Sequence, residues 1–535
     1  MGGHWGFLEV TEVLVRFWIA VVVFSLAVSA GAVPQPELTV VTGDQSRSFL
    51  GRGVHVLIGI LDGGIDATHP AIRGSIVAAR DFSGSGTTDD DPKGPGHATG
   101  IAGLYVGHAS DYMGLVPKAG IINARVITSN DSTSDLMAGN GLFYSVNLGA
   151  KVVNMSFGNK LGEGPLTNRF NLMVDYASEA YGVSIVTAAG NEEDTAVAQV
   201  PAGAYNAYSV GSVAPRKYNQ VSSFSNFALS SDVRTKPELV APGDSVQLGN
   251  ANWEKGTLYS PGSGTSFSAP IVGGVLAQMV GYGRDFHLPT DPCLLRAIVM
   301  ASADKVLDYG GDAWAPRHQS TTDKGRLFVD EPLDAEQGAG RIDAMAAYRV
   351  YSRTHDSNTK LTDWAFTSLK RSTSFMMDLG QLSAGQHLDT TLTWAHHVGV
   401  TDNGNGVIDA TDKFYEAVPL ADFALELLRN GKIIAVSDGD FDNYENLSLK
   451  IASSGTYSLE VYRYDIGGNK NETFAVAARV LNNGVSGLPA EASLSAFAAV
   501  GGGGVMRSLG EAAVPEPSGV LVIGMAAVGW GALRR

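Results

Sequence analysis

Cysteine is almost missing from this chain. Among 535 residues there is one, Cys293, so no internal disulfide can staple the fold. Stability must come from packed cores and from any ions the chain binds. Cys293 lies in the apolar helical stretch D-P-C-L-L-R-A-I-V-M and reads as a buried structural thiol, not a nucleophile. Basic charge is also scarce. There are 38 Lys and Arg against 54 Asp and Glu, a net charge of −16. That argues against a nucleic-acid partner, whose phosphates need a basic patch, and against docking on anionic lipid. The acidity reads as a solubility device. No internal repeat is visible. What is present is a globular composition, 44% apolar, with length enough for several domains.

Both ends look like addresses. Arg16 precedes the apolar run F-W-I-A-V-V-V-F-S-L-A-V-S-A and then Ala30-Gly31-Ala32, which has the A-x-A cleavage form. Residues 1–32 therefore read as a secretory signal, although Glu9 and Glu12 are unusual ahead of it. Residues 33–50 form a short polar lead. The other end, 514–535, carries Pro-Glu-Pro, a short apolar stretch and Arg534-Arg535. It resembles the bacterial PEP-CTERM sorting signal. The run is shorter than the ~20 residues of a full span, and the arginines would stay on the cytoplasmic side. The resemblance implies export to the cell envelope or beyond, transient membrane contact, and an exosortase-type enzyme that removes the tail. A Gly/Ala/Ser-rich stretch, 485–513, reads as the linker to it.

From 51 to 350, apolar runs such as V-H-V-L-I-G-I-L-D, I-I-N-A-R-V-I, K-V-V-N-M-S-F and G-V-S-I-V-T-A-A alternate with helix-compatible stretches such as 133–147 and 167–181. Continuous apolar runs suit strands buried on both faces. The alternation predicts an α/β fold, a parallel sheet with helices on both faces. Ligands then gather at the carboxyl ends of the strands. From 355 to 484 the pattern becomes apolar/polar alternation between N-G, D-G and S-G turns, as in an antiparallel β-sandwich domain.

Four short segments in the first region carry chemistry together. Asp62 ends G-I-L-D, His97 opens H-A-T-G-I-A-G, Asn191 follows A-A-G, and Ser266 lies in G-T-S-F-S-A-P. A serine hydroxyl needs a histidine to take its proton, and the histidine needs an anion to hold its tautomer. The oxyanion needs preorganised donors. Ser266 is expected at a helix N-terminus, whose free N–H groups serve that end. Pro270 is expected near the first turn, where no donor is lost.

These segments resemble those of the subtilisin-like serine proteases, over about residues 51–350. The supporting runs N-M-S-F-G (154–158), F-S-N (224–226) and K-P-E-L-V-A-P-G (236–243) match too. The resemblance implies a subtilisin-like fold and a serine endopeptidase acting on protein or peptide substrates, with Asp62, His97 and Ser266 as triad and no cofactor for catalysis. It implies Asn191 in the oxyanion hole, and Ser156, Phe157 and Gly158 facing Ala188, Ala189 and Gly190 across the substrate cleft. Two features depart from the family: Gly100 stands where a second histidine is usual, and 33–50 is too short for a domain-sized propeptide. The rival reading is a non-enzymatic envelope adhesion or matrix protein on the same scaffold.

The run Thr401–Asp412 resembles an EF-hand or dockerin-type calcium loop. Its oxygen donors fall at Asn403, Asn405, the Val407 carbonyl, Asp409 and Asp412, with Thr401 where Asp is expected. His396 and His397 suggest a metal pair, but neighbours on a strand point to opposite faces, so they are not expected to share an ion.

Overall fold

The computed structural model describes Leu38 and residues 55–89, 96–158, 168–192, 200–214, 220–229, 234–305, 316–321 and 325–482. The signal and sorting segments and the linker lie outside these residues, as does the lead apart from Leu38.

Seven parallel strands form the central sheet. They are β1 (Leu57–Asp62), β2 (Ile76–Asp81), β3 (Gly120–Arg125), β4 (Val152–Met155), β5 (Ser184–Ala188), β6 (Ala207–Val213) and β7 (Leu239–Pro242). Their order is β7-β6-β5-β4-β1-β3-β2. The apolar runs alternate between two cores. Ile58, Ile60, Ile121, Val152 and Val186 face one side, with helices α1 (His97–Val106), α4 (Thr265–Phe286) and α5 (Pro292–Ala301). Leu61, Ile122, Val153, Met155 and Ile185 face the other, with α2 (Asp135–Asn147) and α3 (Arg169–Tyr181). This is why the runs are mostly apolar on both faces; the polar side chains they do carry, such as Asn123 and Asn154, are buried and hydrogen-bonded.

Register then sets the site. β1 and β4 pair through Leu61 and Met155, and β4 and β5 through Met155 and Thr187. The chain therefore leaves the sheet side by side at Asp62, at Ser156 and at Ala188.

The chain also builds a sandwich, most of it after α6 (Ala344–Ser352). Its strands are β8 (His318–Thr321), β9 (Leu327–Glu331), β10 (Thr359–Lys370), β11 (Thr373–Leu382), β12 (His387–Trp394), β15 (Phe423–Arg429), β16 (Lys432–Ser437), β17 (Tyr444–Lys450), β18 (Gly455–Arg463) and β19 (Asn471–Leu481). A ribbon of β13 (Val398–Thr401) and β14 (Lys413–Glu416) projects from it. The sheets run β8-β9-β16-β15-β18-β11 and β10-β19-β12-β17. Leu388, Leu392 and Val476 of one sheet meet Leu425, Leu459 and Val461 of the other in a common core.

The sequence boundary near 350 does not hold for strand pairing. β8 and β9 precede it, yet β9 pairs in parallel with β16. The larger sheet is therefore mixed, and its edge comes from the segment counted as catalytic. Alternation showed which runs are strands but not which sheet receives them.

The smaller sheet lies against α5. In β19, Val476, Ala478 and Val480 face the sandwich core, while Ala475 and Ala477 join the core of the α/β region. Polar pins complete the contact: Tyr444 Oη donates to the Thr235 carbonyl (2.7 Å), Arg479 to that of Ala303 (3.3 Å) and Cys293 Sγ to that of Thr393 (3.2 Å). Burial pushes the Cys293 thiol up to about 12, as expected for an inert structural group. No helix among the described residues is long and apolar enough to cross a membrane.

Candidate active site

Asp62 ends the central strand β1 and is 3% exposed. Its Oδ1 and Oδ2 lie 3.1 and 3.0 Å from His97 Nδ1, and Oδ1 also accepts the Gly63 N–H at 2.7 Å. Nδ1 therefore carries the proton, which leaves the lone pair on Nε2. His97 is the first residue of α1. The Gly96 before it has φ 86°, and a Cβ there would sit 2.5 Å from the Ala251 nitrogen. Only glycine brings the chain into the helix at this point. Gly100, the departure from the family, sits in a tight spot: a Cβ there would meet Leu248 at 3.1 Å, so a side chain at this position needs Leu248 to give.

Ser266 is the second residue of α4, after the Gly264 cap. The ring of the next residue, Phe267, lies 5.4 Å from the His97 ring. Pro270 does not sit in the first turn as expected; it is the sixth residue of the helix. It withholds the N–H that would have reached the Ser266 carbonyl four residues back. The Ser156 hydroxyl donates to that carbonyl instead, at 2.7 Å. The contact is reciprocal, because the Ser266 hydroxyl donates to the Ser156 carbonyl at 3.2 Å.

Asn191 is oriented by a residue the sequence reading passed over. Its Oδ1 accepts from both the Thr265 N–H (2.8 Å) and the Thr265 hydroxyl (2.9 Å). That leaves Nδ2 as the donor. A Cβ built on Gly264 would lie 3.4 Å from Asn191 Nδ2 and 3.8 Å from the Ser266 nitrogen. The two donors thus flank one small space, which a side chain at 264 would invade. The segment is braced from behind. The Asn226 N–H donates to the Gly190 carbonyl (3.0 Å), and Asn226 Oδ1 accepts the Glu192 N–H (2.7 Å). The F-S-N run thereby gains its role. Thr265 lay inside the G-T-S motif and could have been found there.

Ser156–Gly158 and Ala188–Gly190 leave the neighbouring strands β4 and β5. Ser156, Ala188 and Ala189 are buried, and the Phe157 ring lies 6.5 Å from that of Phe170 on α3.

Other histidines sit elsewhere. His69 is fully buried; its Nδ1 accepts the Ala71 N–H and its Nε2 donates to the Leu258 carbonyl, a structural role. His396 and His397 are not on a strand, as the opposite-faces reading assumed. They follow β12 and both turn to α3: His396 meets Asp175 (2.8 Å), and His397 meets Glu179 (2.6 Å) and Glu472 of β19 (2.6 Å). Asp175 and Glu179 are one helical turn apart, so a loop can address both.

In the calcium-like loop, Asp402 accepts the N–H groups of Gly404, Asn405 and Gly406. Asp412 accepts those of Asn403 and Asp409, and Asp409 accepts from Thr411 and Asn405. The loop docks on the α/β region through Arg169, which donates to the Ala410 and Asp412 carbonyls. Among the described residues no group of three or more His, Cys, Asp or Glu could hold a metal. A cavity of about 530 Å³ opens where α3 and α5 meet the sandwich; none of the candidate catalytic residues lines it.

The sequence profile of the subtilase family (Peptidase_S8) matches residues 53–340, and the chain belongs to that family. It is a subtilase serine peptidase. It is 31% identical over 262 residues to thermitase of Thermoactinomyces vulgaris, covering 49% of this chain and 85% of that one. It is 30% identical to the thermophilic serine proteinase of Bacillus sp. (strain AK1), covering 52% and 62%. It is 28% identical to the major intracellular serine protease of Bacillus subtilis (strain 168), covering 44% and 71%. Among solved structures, the prenylagaramide maturation protease PagA covers 57% of this chain and 97% of its own at 22% identity, with a TM-score of 0.45.

Proposed function

We propose that the chain is an exported serine endopeptidase that cleaves peptide bonds through an acyl-enzyme. The observation that carries this reading is the contact of His97 Nδ1 with both Asp62 oxygens at 3.0–3.1 Å, on the helix whose histidine ring approaches the Ser266 segment. Nε2 of His97 takes the Ser266 proton as the hydroxyl attacks the substrate carbonyl. Asp62 stabilises the imidazolium that forms. Asn191 Nδ2 and the Ser266 N–H hold the oxyanion. His97 then protonates the leaving amine, and water resolves the acyl-enzyme. Ser156–Gly158 and Ala188–Gly190 bind the substrate on either side. A fluorophosphonate probe tests the assignment: wild type should be labelled and Ser266→Ala should not. Equal labelling of both sinks it.

Export rests on the terminal segments alone. A signal at 1–32 and a tail at 514–535 imply passage to the envelope and release by an exosortase-type partner, which fractionation of cells expressing the full chain tests. A structural calcium ion at 401–412 is supported by the all-oxygen donor set of Asn403, Asn405, Val407, Asp409 and Asp412. The carboxylates that accept loop N–H groups keep lone pairs for a cation. Such an ion would stiffen the loop against α3 and take no part in the reaction.

A further inference from the structure

A chain of buried hydrogen bonds ends at the backbone of Ser266. Its last member, Ser156 Oγ, fills the bond that Pro270 leaves open. Ser156 Oγ in turn accepts from Asn154 Nδ2 at 2.9 Å, and Asn154 Oδ1 accepts from Tyr105 Oη at 3.2 Å. Tyr105 and Asn154 are both fully buried, and Ser156 is 4% exposed. The direction of every bond is fixed. An amide nitrogen can only donate, so the Ser156 hydroxyl must pass its own proton on to the Ser266 carbonyl. Burial pushes the Tyr105 phenol well above its usual range, which keeps it a donor.

The elements joined in this way are the ones that carry the reacting groups. Tyr105 lies on α1, the helix that His97 opens. Asn154 lies on β4, which leads to the cleft. Ser266 opens α4. The Tyr105 hydroxyl is also seated against α4 itself. A Cβ at Gly273, two turns beyond Ser266, would sit 2.0 Å from Tyr105 Oη. The glycine exists to admit that hydroxyl.

We infer that Tyr105 is a positioning residue for the reaction, fixing the nucleophile's backbone relative to the histidine helix through the Asn154–Ser156 relay. The inference rests on the catalytic reading above. It predicts that Tyr105→Phe lowers kcat and the rate of fluorophosphonate labelling about tenfold with KM unchanged, a fraction of the ~10²-fold cost of a full 1 Å misplacement, since the rest of the relay stays in place. Packing and positioning are separated by Tyr105→Phe combined with Gly273→Ala. The added methyl enters the space of the lost hydroxyl, 3.0 Å from ring Cζ and 3.1 Å from Val186, so the ring must give by a few tenths of an ångström, and the melting temperature is measured beside kcat. The methyl gives Asn154 no donor, so kcat should stay low. Recovery of kcat along with stability would reduce Tyr105 to a packing residue and overturn the inference, as would an unchanged kcat in Tyr105→Phe. Ser266→Ala run beside them keeps the two ideas apart. Labelling of that variant sinks the catalytic reading, whereas a silent Ser266→Ala with a fully active Tyr105→Phe sinks the relay alone.

Discussion

The cleft and the sandwich interface solve opposite problems with the same residue types. At the cleft, the candidate centre holds the pair of Asp62 and a His97 whose side chain is 37% exposed. The other groups described around it are mainly backbone, hydroxyl and amide. At the interface, charges are buried in clusters. Asp389 meets His387, Arg479 and Lys305, and Glu238 meets Lys236 and Arg296. Burial alone would raise the Asp389 carboxyl, but the surrounding cations hold it far below the usual carboxylate range. Burial pulls Lys236 and Lys305 down to about 8. On the proposed reading, a reaction at the cleft that creates charge would find donors already aimed. The interface locks its charge in pairs that are costly to break. A buried charge by itself therefore does not mark the active centre: the Asp389 and Glu238 clusters lie at the sandwich interface.

Substitutions can break this contrast, and the largest effect is expected at the cleft. Asp62→Asn should keep the fold and lower kcat by about 10⁴, because the amide no longer selects the right histidine tautomer. Loss of folding instead would place Asp62 among the structural charges. Asp389→Ala should do the reverse. Stranding buried cations costs about 3–5 kcal/mol, visible as a lower denaturation midpoint, with the kcat of the folded fraction unchanged. Asn191→Ala should cost about 10²–10³ in kcat, a range that comes from subtilisin itself, with little change in midpoint. A larger loss of stability than of turnover would reassign the amide. Calcium at 401–412 should add about 1.4 kcal/mol at ten times its dissociation constant. A chelator that leaves the melting temperature unchanged counts against it.

The smallest effect concerns the two interface histidines. Burial lowers their pKa, but hydrogen bonds to Asp175 and Glu416 raise His396 to about 8, and those to Glu179 and Glu472 raise His397 to about 10. Protonated, they stabilise the folded state fully below about pH 6.5, and that stability is lost as pH rises through 8 and then 10. The lysines run the other way: their buried charge costs most below pH 8, and the cost fades toward 10.5. His397→Gln should therefore show a deficit in melting temperature near pH 6 that closes toward pH 10. A constant deficit would mean that His397 does not titrate in that window.

The four candidate segments were legible because each needs a fixed local chemistry: a strand-end carboxylate, a glycine turn before a helix, a small-residue approach to an amide. Hydrophobic runs were legible because a sheet covered on both faces is mostly apolar and takes a polar side chain only where a buried partner meets it. The partners of these residues were not. Nothing near Tyr105 names Asn154, and nothing near Pro270 says that Ser156 will fill its missing bond. Likewise the sequence around His396 and His397 suggested a strand with opposed side chains, while the fold turned both toward α3. By itself the sequence determined the layers of the α/β region, the family and the identity of the candidate reacting groups, since all depend on patterns within a few residues. Only the tertiary structure decided which sheet took β8 and β9, what braces Asn191, and how the sandwich is docked. Those depend on hydrogen-bond partners and buried charges far apart in the chain, and a buried polar group takes whichever partner the packed chain brings within reach.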